Sequence, residues 1–331
     1  MKPKVAFIGT GGTISSIGRG PLDIMDYVSN DVRLHAEEIV ARFPELAEVA
    51  EVIPVRFRNV PSFDIYFPEW RELVLLCDRA VATIPDLAGI VVGHGTASLE
   101  ETAWMLNLTV KVSVPVVVVG SQRPPTALSS DAGINLLNAV RTAAAPDSRG
   151  RGVLVVLNDE IQAARDVTKT STFRMQTFRS PDFGVLGQAD GDRIAYYRRS
   201  ERRTAPDTEF DIRDLPALPR VDIAYAYTGS DGTAVRAFVA AGAAGIVSAG
   251  FAPGFPGTAD GAALEAAIAA GVVVVQSTRA GSGRTFRGER FQQSGILIAD
   301  NLNPQKARLL LALALSQSED PAEVRRIFAT Y

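Results

Sequence analysis

Residues 5–15 read VAFIGTGGTIS, an unbroken apolar run that passes directly into glycines and threonines. Such a run is typical of a strand that is buried on both faces, as in a parallel sheet flanked by helices. Ligands of open α/β sheets bind beyond the carboxyl ends of these strands. The pattern therefore predicts a strand over Val5–Ile8 and places Thr13 at a ligand-binding edge.

The same succession of short apolar run, small-residue turn and longer amphipathic segment recurs along the chain. This alternation is typical of βαβ units. Further strands are predicted over Gly89–Val92, Pro115–Val119 and Gly152–Leu157, and helices over Pro68–Val81 and Ala132–Ala144. We therefore predict an α/β fold with a mostly parallel sheet and flanking helices.

The chain has 331 residues, which exceeds the size at which a single hydrophobic core usually keeps growing. Residues 198–220 read RRSERRTAPDTEFDIRDLPALPR and interrupt the alternation with charge and prolines, as interdomain linkers do. Apolar runs resume beyond this segment. We predict a larger N-terminal α/β domain over residues 1–197, a linker over 198–220 and a smaller C-terminal α/β domain over 221–331.

Hydrophobic residues make up 47% of the chain and charged residues 21%, a balance typical of a globular enzyme. The net charge of -3 gives no overall attraction to phosphate backbones, so we expect no nucleic-acid partner. No apolar stretch approaches the roughly 18 residues of a membrane span. The first apolar run is too short and too rich in glycine for a signal peptide, and we expect a cytoplasmic protein.

Residues 91–103, VVGHGTASLEETA, repeat the arrangement of the first turn, with an apolar strand, a glycine, Gly-Thr and a helix start. A second threonine, Thr96, is thus predicted at the same edge of the sheet as Thr13. Ser98 and Glu101 have the spacing of a capping box, which is a purely structural role. A Ser-His-Asp triad built on His94 is an alternative, although no GxSxG elbow lies beside it.

Two other interpretations of the first turn remain open at this point. A dinucleotide fingerprint needs glycine at its first, third and sixth positions, where Gly9 and Gly11 fit but Ile14 does not. A tight turn without any ligand is the second alternative for residues 8–15. The presence of two similar threonine turns favours a functional site.

A polar stretch over residues 158–187 follows the predicted strand Gly152–Leu157 and contains Lys169. Burial lowers the pKa of a lysine, and such a lysine can accept the proton of a nearby threonine hydroxyl. Taken alone, Lys169 reads as a surface charge, whereas beside two threonine turns it is a candidate general base. Neither histidine has a second ligand at helical spacing, so we predict no metal site.

Four separated segments resemble motifs of one family. They are TGGTIS at 10–15, HGTASLEETA at 94–103, NDEIQAARDVTKTSTF at 158–173 and LNPQKARLLLALALSQSEDPAEVRRIF at 302–328. Their sequences and order are similar to those of the bacterial-type L-asparaginases and glutaminases, threonine amidohydrolases. This resemblance identifies the chain as a divergent member. It implies a two-domain α/β fold, amide hydrolysis without a cofactor, and a homotetramer built from intimate dimers.

The resemblance also implies roles for individual residues. Thr13 corresponds to the nucleophile, Tyr27 to its partner on a flexible loop, Thr96 to the second threonine and Lys169 to the base. Ser62 corresponds to a residue that binds the substrate carboxylate. Backbone amides of the glycine turns would form the oxyanion hole that stabilises the tetrahedral intermediate.

Several substrate-binding positions depart from the family pattern. Ala97 stands where the family has an aspartate that holds the substrate's α-amino group and pairs with the lysine. Phe63 occupies a position that is usually small or polar, and Glu289 lies close to the place of an amino-binding glutamate. The segment GFAPGF at 250–255 replaces one that usually offers asparagine to a neighbouring site. Because burying an ammonium without its carboxylate costs several kcal/mol, we expect weakened affinity for ordinary asparagine.

These observations favour an amidohydrolase that releases ammonia from L-asparagine or from a related small, N-substituted or succinamic-type amide. Two alternatives remain. One is a lyase or isomerase of the same fold that uses Thr13 and Lys169 for proton transfer on an aspartate-like compound. The other is a non-catalytic ligand-binding homologue, against which the retained threonines and lysine argue.

Overall fold

The computed structural model describes residues 1–286 and 288–331, except for the side chains of residues 290–292. The chain forms two compact units, Met1–Asp214 and Leu215–Tyr331. Within the described residues, no helix combines the length and the apolar character that a bilayer crossing requires. Each unit contains a largely or wholly parallel sheet with helices packed against it.

The first unit, every residue of which is described, contains ten strands. They are β1 (Lys4–Gly9), β2 (Glu51–Arg56), β3 (Leu87–Gly93), β4 (Val116–Val119), β5 (Val153–Leu157), β6 (Glu160–Ala163), β7 (Thr168–Lys169), β8 (Phe178–Arg179), β9 (Gly187–Ala189) and β10 (Ile194–Tyr196). Eight of them form one sheet in the order β10-β9-β6-β5-β4-β3-β1-β2, while β7 and β8 pair only with each other.

The central part of this sheet is parallel. Strands β5, β4, β3, β1 and β2 pair in parallel, whereas β6, β9 and β10 are added in antiparallel pairs. Neighbouring β1 and β3 align with Gly9 opposite Gly93. Because both strands end at this level, the segments that follow them emerge side by side at one edge of the sheet.

The helices of the first unit cover the sheet and bury its apolar side chains. They are α1 (Ala36–Arg42), α2 (Leu46–Val49), α3 (Phe67–Thr83), α4 (Leu99–Thr109) and α5 (Ala132–Ala144). Helix α5 packs against β3, β4 and β5 through buried Leu136, Ala139 and Val140. Burial on both faces explains why the central strands are continuously apolar in sequence.

The predicted α/β class is confirmed, and the predicted elements of the first unit are found. The strands predicted from Val5, Gly89, Pro115 and Gly152 correspond to β1, β3, β4 and β5. The helix predicted over Ala132–Ala144 has those bounds as α5, and α3 extends the predicted Pro68–Val81 helix slightly at both ends.

The second unit has a smaller parallel sheet and five helices within its described residues. The strands are β11 (Val221–Tyr225), β12 (Gly245–Gly250), β13 (Val273–Thr278) and β14 (Leu297–Ile298), in the order β11-β12-β13-β14. The helices are α6 (Thr233–Ala240), α7 (Thr258–Ala269), α8 (Glu289–Ser294), α9 (Pro304–Leu315) and α10 (Pro321–Thr330). This α/β layering agrees with the fold class predicted for the C-terminal part of the chain.

The predicted linker over residues 198–220 contains segments that pack on the first unit. Phe210 and Ile212 are buried, and the backbone N–H of Ala205 donates to the Asn107 carbonyl at 3.1 Å. The division between the two compact units falls after Asp214. The exact domain and linker bounds that we infer from the sequence stay a prediction.

Candidate active site

The two threonine turns touch each other through glycines. Gly12 has a φ of +85°, and a Cβ atom on it would lie 2.1 Å from the Gly95 Cα. The backbone N–H of Thr10 also donates to the Gly93 carbonyl at 2.9 Å. A side chain at position 12 would collide with the second turn, so glycine is required for this close approach.

A cavity of about 250 Å³ opens beside these turns. It contains seven of the eight site positions predicted from the sequence, together with six further residues. The lining residues are Gly12, Thr13, Ser16, Tyr27, Val28, Arg33, Pro61, Ser62, Phe63, Gly95, Thr96, Ala97 and Lys169. The chain therefore brings both threonines, the tyrosine and the lysine to one pocket at the carboxyl edge of the sheet, where α/β proteins bind ligands.

Thr13 begins a short 3₁₀ turn, Thr13–Ser15, directly after the glycines. Its side chain is nearly buried, and its Oγ1 lies 2.7 Å from the hydroxyl of Tyr27. Tyr27 begins a second 3₁₀ turn, Tyr27–Asn30. Either hydroxyl can donate in this pair, so a proton can pass between Thr13 and Tyr27 without a large movement.

Thr96 lies in a chain of polar contacts with Lys169. The Lys169 Nζ lies 2.8 Å from the Thr96 Oγ1, and the Thr96 hydroxyl donates to the Gln122 Oε1 at 3.2 Å. The backbone N–H of Lys169 donates to the Glu100 carboxylate at 3.2 Å. Glu100 therefore fixes the strand that carries Lys169, while Gln122 orients the hydroxyl that the lysine contacts.

Burial lowers the pKa of Lys169 below its ordinary value of 10.5, and the negative charge of Glu100 opposes this shift. Burial has this effect because the charged ammonium loses its hydration. A lysine with a lowered pKa releases its proton more readily near neutral pH. As a free amine beside the Thr96 hydroxyl, it has the geometry to accept a proton.

The predicted substrate-binding positions divide between the two units. Ser62, Phe63 and Ala97 line the cavity with the threonines. Glu289 is the first residue of α8 in the second unit, and its side chain is exposed. The substrate-binding role that we assign to Glu289 stays a prediction.

The capping box predicted at the start of α4 is wrong. Ser98 occupies the N-cap position but makes no capping hydrogen bond. Its hydroxyl instead donates to the backbone carbonyl of Ser62 at 2.5 Å. The contact links the second threonine turn to the segment that carries Ser62 and Phe63, a long-range pairing that sequence spacing could not reveal.

The geometry supports neither a Ser-His-Asp triad built on His94 nor a dinucleotide site at residues 8–15. His94 is fully buried, its Nδ1 lies 2.8 Å from the Gly95 carbonyl oxygen, and it is not among the cavity-lining residues. Burial lowers the pKa of His94 to about 4. The glycines of residues 9–12 lead into a three-residue 3₁₀ turn, whereas a dinucleotide site requires a helix there.

Three polar residues at or beside the cavity were not identified from the sequence. Arg33 and Ser16 line the cavity and form an isolated antiparallel bridge with each other, and Gln122 contacts Thr96. Each reaches the site from a loop. Apolar periodicity identifies strands and helices but carries no signal for such loop contacts. Among the described residues, no group of three or more His, Cys, Asp or Glu side chains is arranged to hold a metal ion.

Comparison with known proteins identifies the family to which this site belongs. The sequence matches the descriptions "Asparaginase, N-terminal" over residues 4–202 and "Glutaminase/Asparaginase C-terminal domain" over residues 220–328. The chain belongs to the asparaginase family. As an asparaginase-family protein, it is a hydrolase of the type that acts on linear amides.

Similar proteins match this asparaginase-family chain almost end to end. L-asparaginase 2 of Bacillus subtilis is 40% identical over 99% of this chain and 87% of its own length. A probable periplasmic L-asparaginase of Haemophilus influenzae is 39% identical over 99% and 93%. The crystal structure of a probable cytoplasmic L-asparaginase from Campylobacter jejuni covers 100% of both chains with a TM-score of 0.93 and 33% identity.

Proposed function

We propose that this protein hydrolyses the side-chain amide of L-asparagine or of a related small dicarboxylic acid, including N-substituted forms, and releases ammonia. One observation carries the proposal. The Lys169 Nζ lies 2.8 Å from the Thr96 Oγ1 in the same cavity as the Thr13 hydroxyl. The two relatives from Bacillus subtilis and Haemophilus influenzae are named as L-asparaginases, which agrees with this chemistry.

In the proposed reaction the Thr13 Oγ1 attacks the amide carbonyl carbon while its proton passes toward the Tyr27 hydroxyl. Backbone N–H groups of the glycine turns stabilise the oxyanion that forms. The C–N bond then breaks as the leaving nitrogen takes the proton lost by Thr13, relayed through the Tyr27 hydroxyl, and ammonia departs. Water hydrolyses the resulting acyl-threonine ester, which releases the acid and restores Thr13.

Lys169 and Thr96 act as the proton-accepting pair. Partial burial and the resulting fall in the pKa of Lys169 favour its free-amine form. The contact between Lys169 and Thr96 places that amine beside a hydroxyl within the pocket. The threonine therefore relays a proton between the reacting centre and the lysine, which supplies general-base catalysis typically worth about 10²–10⁴-fold in rate.

Family resemblance also leads us to propose a homo-oligomer that acts in the cytoplasm on a small-molecule substrate without a cofactor. The Campylobacter jejuni relative is named as cytoplasmic, while the Haemophilus influenzae relative is named as periplasmic. Light scattering of the purified protein measures the oligomeric state, and fractionation of the source cells tests the location.

The first prediction tests the threonine mechanism. Thr13→Ala and Thr96→Val should each lower amide hydrolysis by at least about a hundredfold, because each removes a hydroxyl that takes part in the reaction. Ammonia release from a panel of small dicarboxylic acid amides provides the measurement. Thr83→Ala is the matched control, since Thr83 is exposed near the end of α3 and should leave the rate unchanged.

Unfolding temperatures of all variants should stay close to that of the wild type, which separates lost chemistry from lost structure. If both threonine variants released ammonia at the wild-type rate, the proposed mechanism would be contradicted. Ammonia release without net addition of water, followed by mass spectrometry of the product, would instead indicate the lyase reaction.

A further inference from the structure

The cavity that holds the two threonines carries only positive charges on its lining side chains. Arg33 contributes a permanent cation, Lys169 contributes a second one only when it is protonated, and none of the thirteen lining residues, all of which are described, is an aspartate or glutamate. Ala97 leaves an apolar methyl group where the family resemblance leads us to expect a carboxylate. A ligand ammonium in this cavity would thus meet the like charge of Arg33 and no carboxylate among the lining side chains, which disfavours its burial.

Arg33 is held in place by the backbone on both sides of it. The Ile17 N–H donates to the Val32 carbonyl at 2.9 Å, and the Leu34 N–H donates to the Ser15 carbonyl at 2.7 Å. These bonds tie the arginine to the segment that directly follows Thr13. Its side chain is 25% exposed, and it lines the same cavity as Thr13, the proposed nucleophile.

The partner of Arg33 within the first unit is a weak one. Asp31 lies 3.5 Å from the guanidinium, and its own side chain is 86% exposed. Surface ion pairs of this kind contribute little, because water competes for both charges. Arg33 therefore keeps the capacity to bind a ligand carboxylate through the planar, two-pronged contact that guanidinium groups favour.

Two of the residues that line the cavity have exposed apolar side chains. Phe63 lines the cavity and is 74% exposed, and Val28 also lines it and is 55% exposed. Leu22 and Met25, on the segment that leads to Val28, are exposed as well. An apolar substituent on the ligand would remove part of this surface from water, which is favourable in proportion to the area buried.

We propose that Arg33 binds a substrate carboxylate and that the preferred substrates are N-acylated asparagines with an apolar acyl group. Acylation removes the charge of the α-nitrogen, so the missing carboxylate at Ala97 is no longer needed. The carboxylate contacts Arg33 together with Ser62, the residue to which the family resemblance gives this role. The acyl group contacts Phe63 and Val28, and the side-chain amide faces Thr13. This assignment rests on the proposed amide hydrolysis and names its substrate class.

The experiment compares kcat/KM for ammonia release from L-asparagine, N-acetyl-L-asparagine, N-benzoyl-L-asparagine and the methyl ester of the last compound. Wild-type enzyme should prefer N-benzoyl-L-asparagine over L-asparagine by at least about tenfold, the range expected when a charged group loses its partner. Arg33→Gln should lower kcat/KM for the acid by about ten- to a hundredfold, mainly through KM. For the methyl ester, which has no carboxylate, kcat/KM should differ between Arg33→Gln and the wild type by less than about threefold.

Arg42→Gln is the matched control, because Arg42 is an exposed arginine at the end of α1 and does not line the cavity. Arg33→Lys keeps the positive charge, so it should bind N-benzoyl-L-asparagine more tightly than Arg33→Gln does. A wild-type preference for free L-asparagine, or an equal loss for acid and ester in Arg33→Gln, would overturn the assignment while leaving amide hydrolysis intact. Failure to hydrolyse any of the amides would instead count against the proposed function itself.

Discussion

At the scale of single residues, Lys169 is subject to two opposing influences. Burial lowers its pKa and the Glu100 carboxylate raises it. Glu100→Gln removes the charge but keeps an oxygen that can accept from the Lys169 N–H. The pKa of Lys169 should then fall further, and the acidic limb of kcat/KM against pH should move to lower pH.

The sign of this shift follows from the role of the base. If the free amine is the active form, a lower pKa makes that form available at lower pH. Ala97→Asp adds a carboxylate to the same cavity and should move the limb in the opposite direction. If the acidic limb of kcat/KM stayed at the same pH in both variants, it would reflect the titration of a different group. Lys169 would then be rejected as the base.

Sequence could identify those site residues that lie in turns directly after buried strands. Thr13 and Thr96 follow apolar runs, and the position of each run fixes the position of its threonine. Arg33 and Gln122 reach the site through loop contacts, including the bridge between Ser16 and Arg33. Such contacts depend on how distant segments pack, and no local pattern in the sequence encodes them.

At the scale of elements, β3 and α5 approach each other closely at Gly89. A Cβ atom there would lie 2.2 Å from the Ala143 carbonyl oxygen and 2.9 Å from the Ala143 Cβ. Gly89→Ala should therefore force the helix away from the sheet and lower the free energy of unfolding by about 1–3 kcal/mol, the usual cost of overpacking a core. Urea denaturation followed by circular dichroism provides the measurement.

Gly191→Ala serves as the comparison for this variant, because nothing lies within 4 Å of a Cβ at that exposed position. Its unfolding free energy should differ from the wild type by less than about 0.5 kcal/mol. Equal stability of Gly89→Ala and the wild type would show that α5 can shift at no cost, contrary to the expectation of tight packing.

Parallel strands were predictable because burial on both faces leaves an unbroken apolar run. The antiparallel strands β6, β9 and β10 contain three or four residues each, which is too short for a period to be recognised. The hairpin of β7 and β8 is shorter still. Much of the fold could therefore be predicted from the sequence, while the strands that extend and flank the parallel sheet could not.

At the scale of the whole molecule, acid stability depends on groups that are buried in uncharged form. His94 is fully buried, and its pKa is lowered to about 4 from an ordinary value of 6.5. The unfolded chain therefore binds a proton at this residue at a higher pH than the folded chain does. Stability should be lost as the pH falls from 6.5 toward 4, by about 2–3 kcal/mol from this residue alone.

Unfolding free energies at pH 7 and pH 4.5 test this prediction. The wild type should lose more stability between these values than His94→Gln, whose side chain does not titrate. Carboxyl groups titrate in both proteins, so their contribution cancels in the comparison. An identical pH dependence in the two proteins would mean that His94 does not couple protonation to folding.

The contact between Gly12 and Gly95 constrains how this chain can change over evolutionary time. A side chain at Gly12 would collide with the backbone of the second turn, and one at Gly95 would meet Ser62 as well as Gly12. Neither turn can accept a bulkier residue at these glycines unless the other turn moves, so the two turns are constrained as a pair. Ala97 lies just beyond that contact, where substitution leaves the paired backbones untouched. A substitution at position 97 can therefore alter the lining of the cavity while the two glycine turns keep their contact.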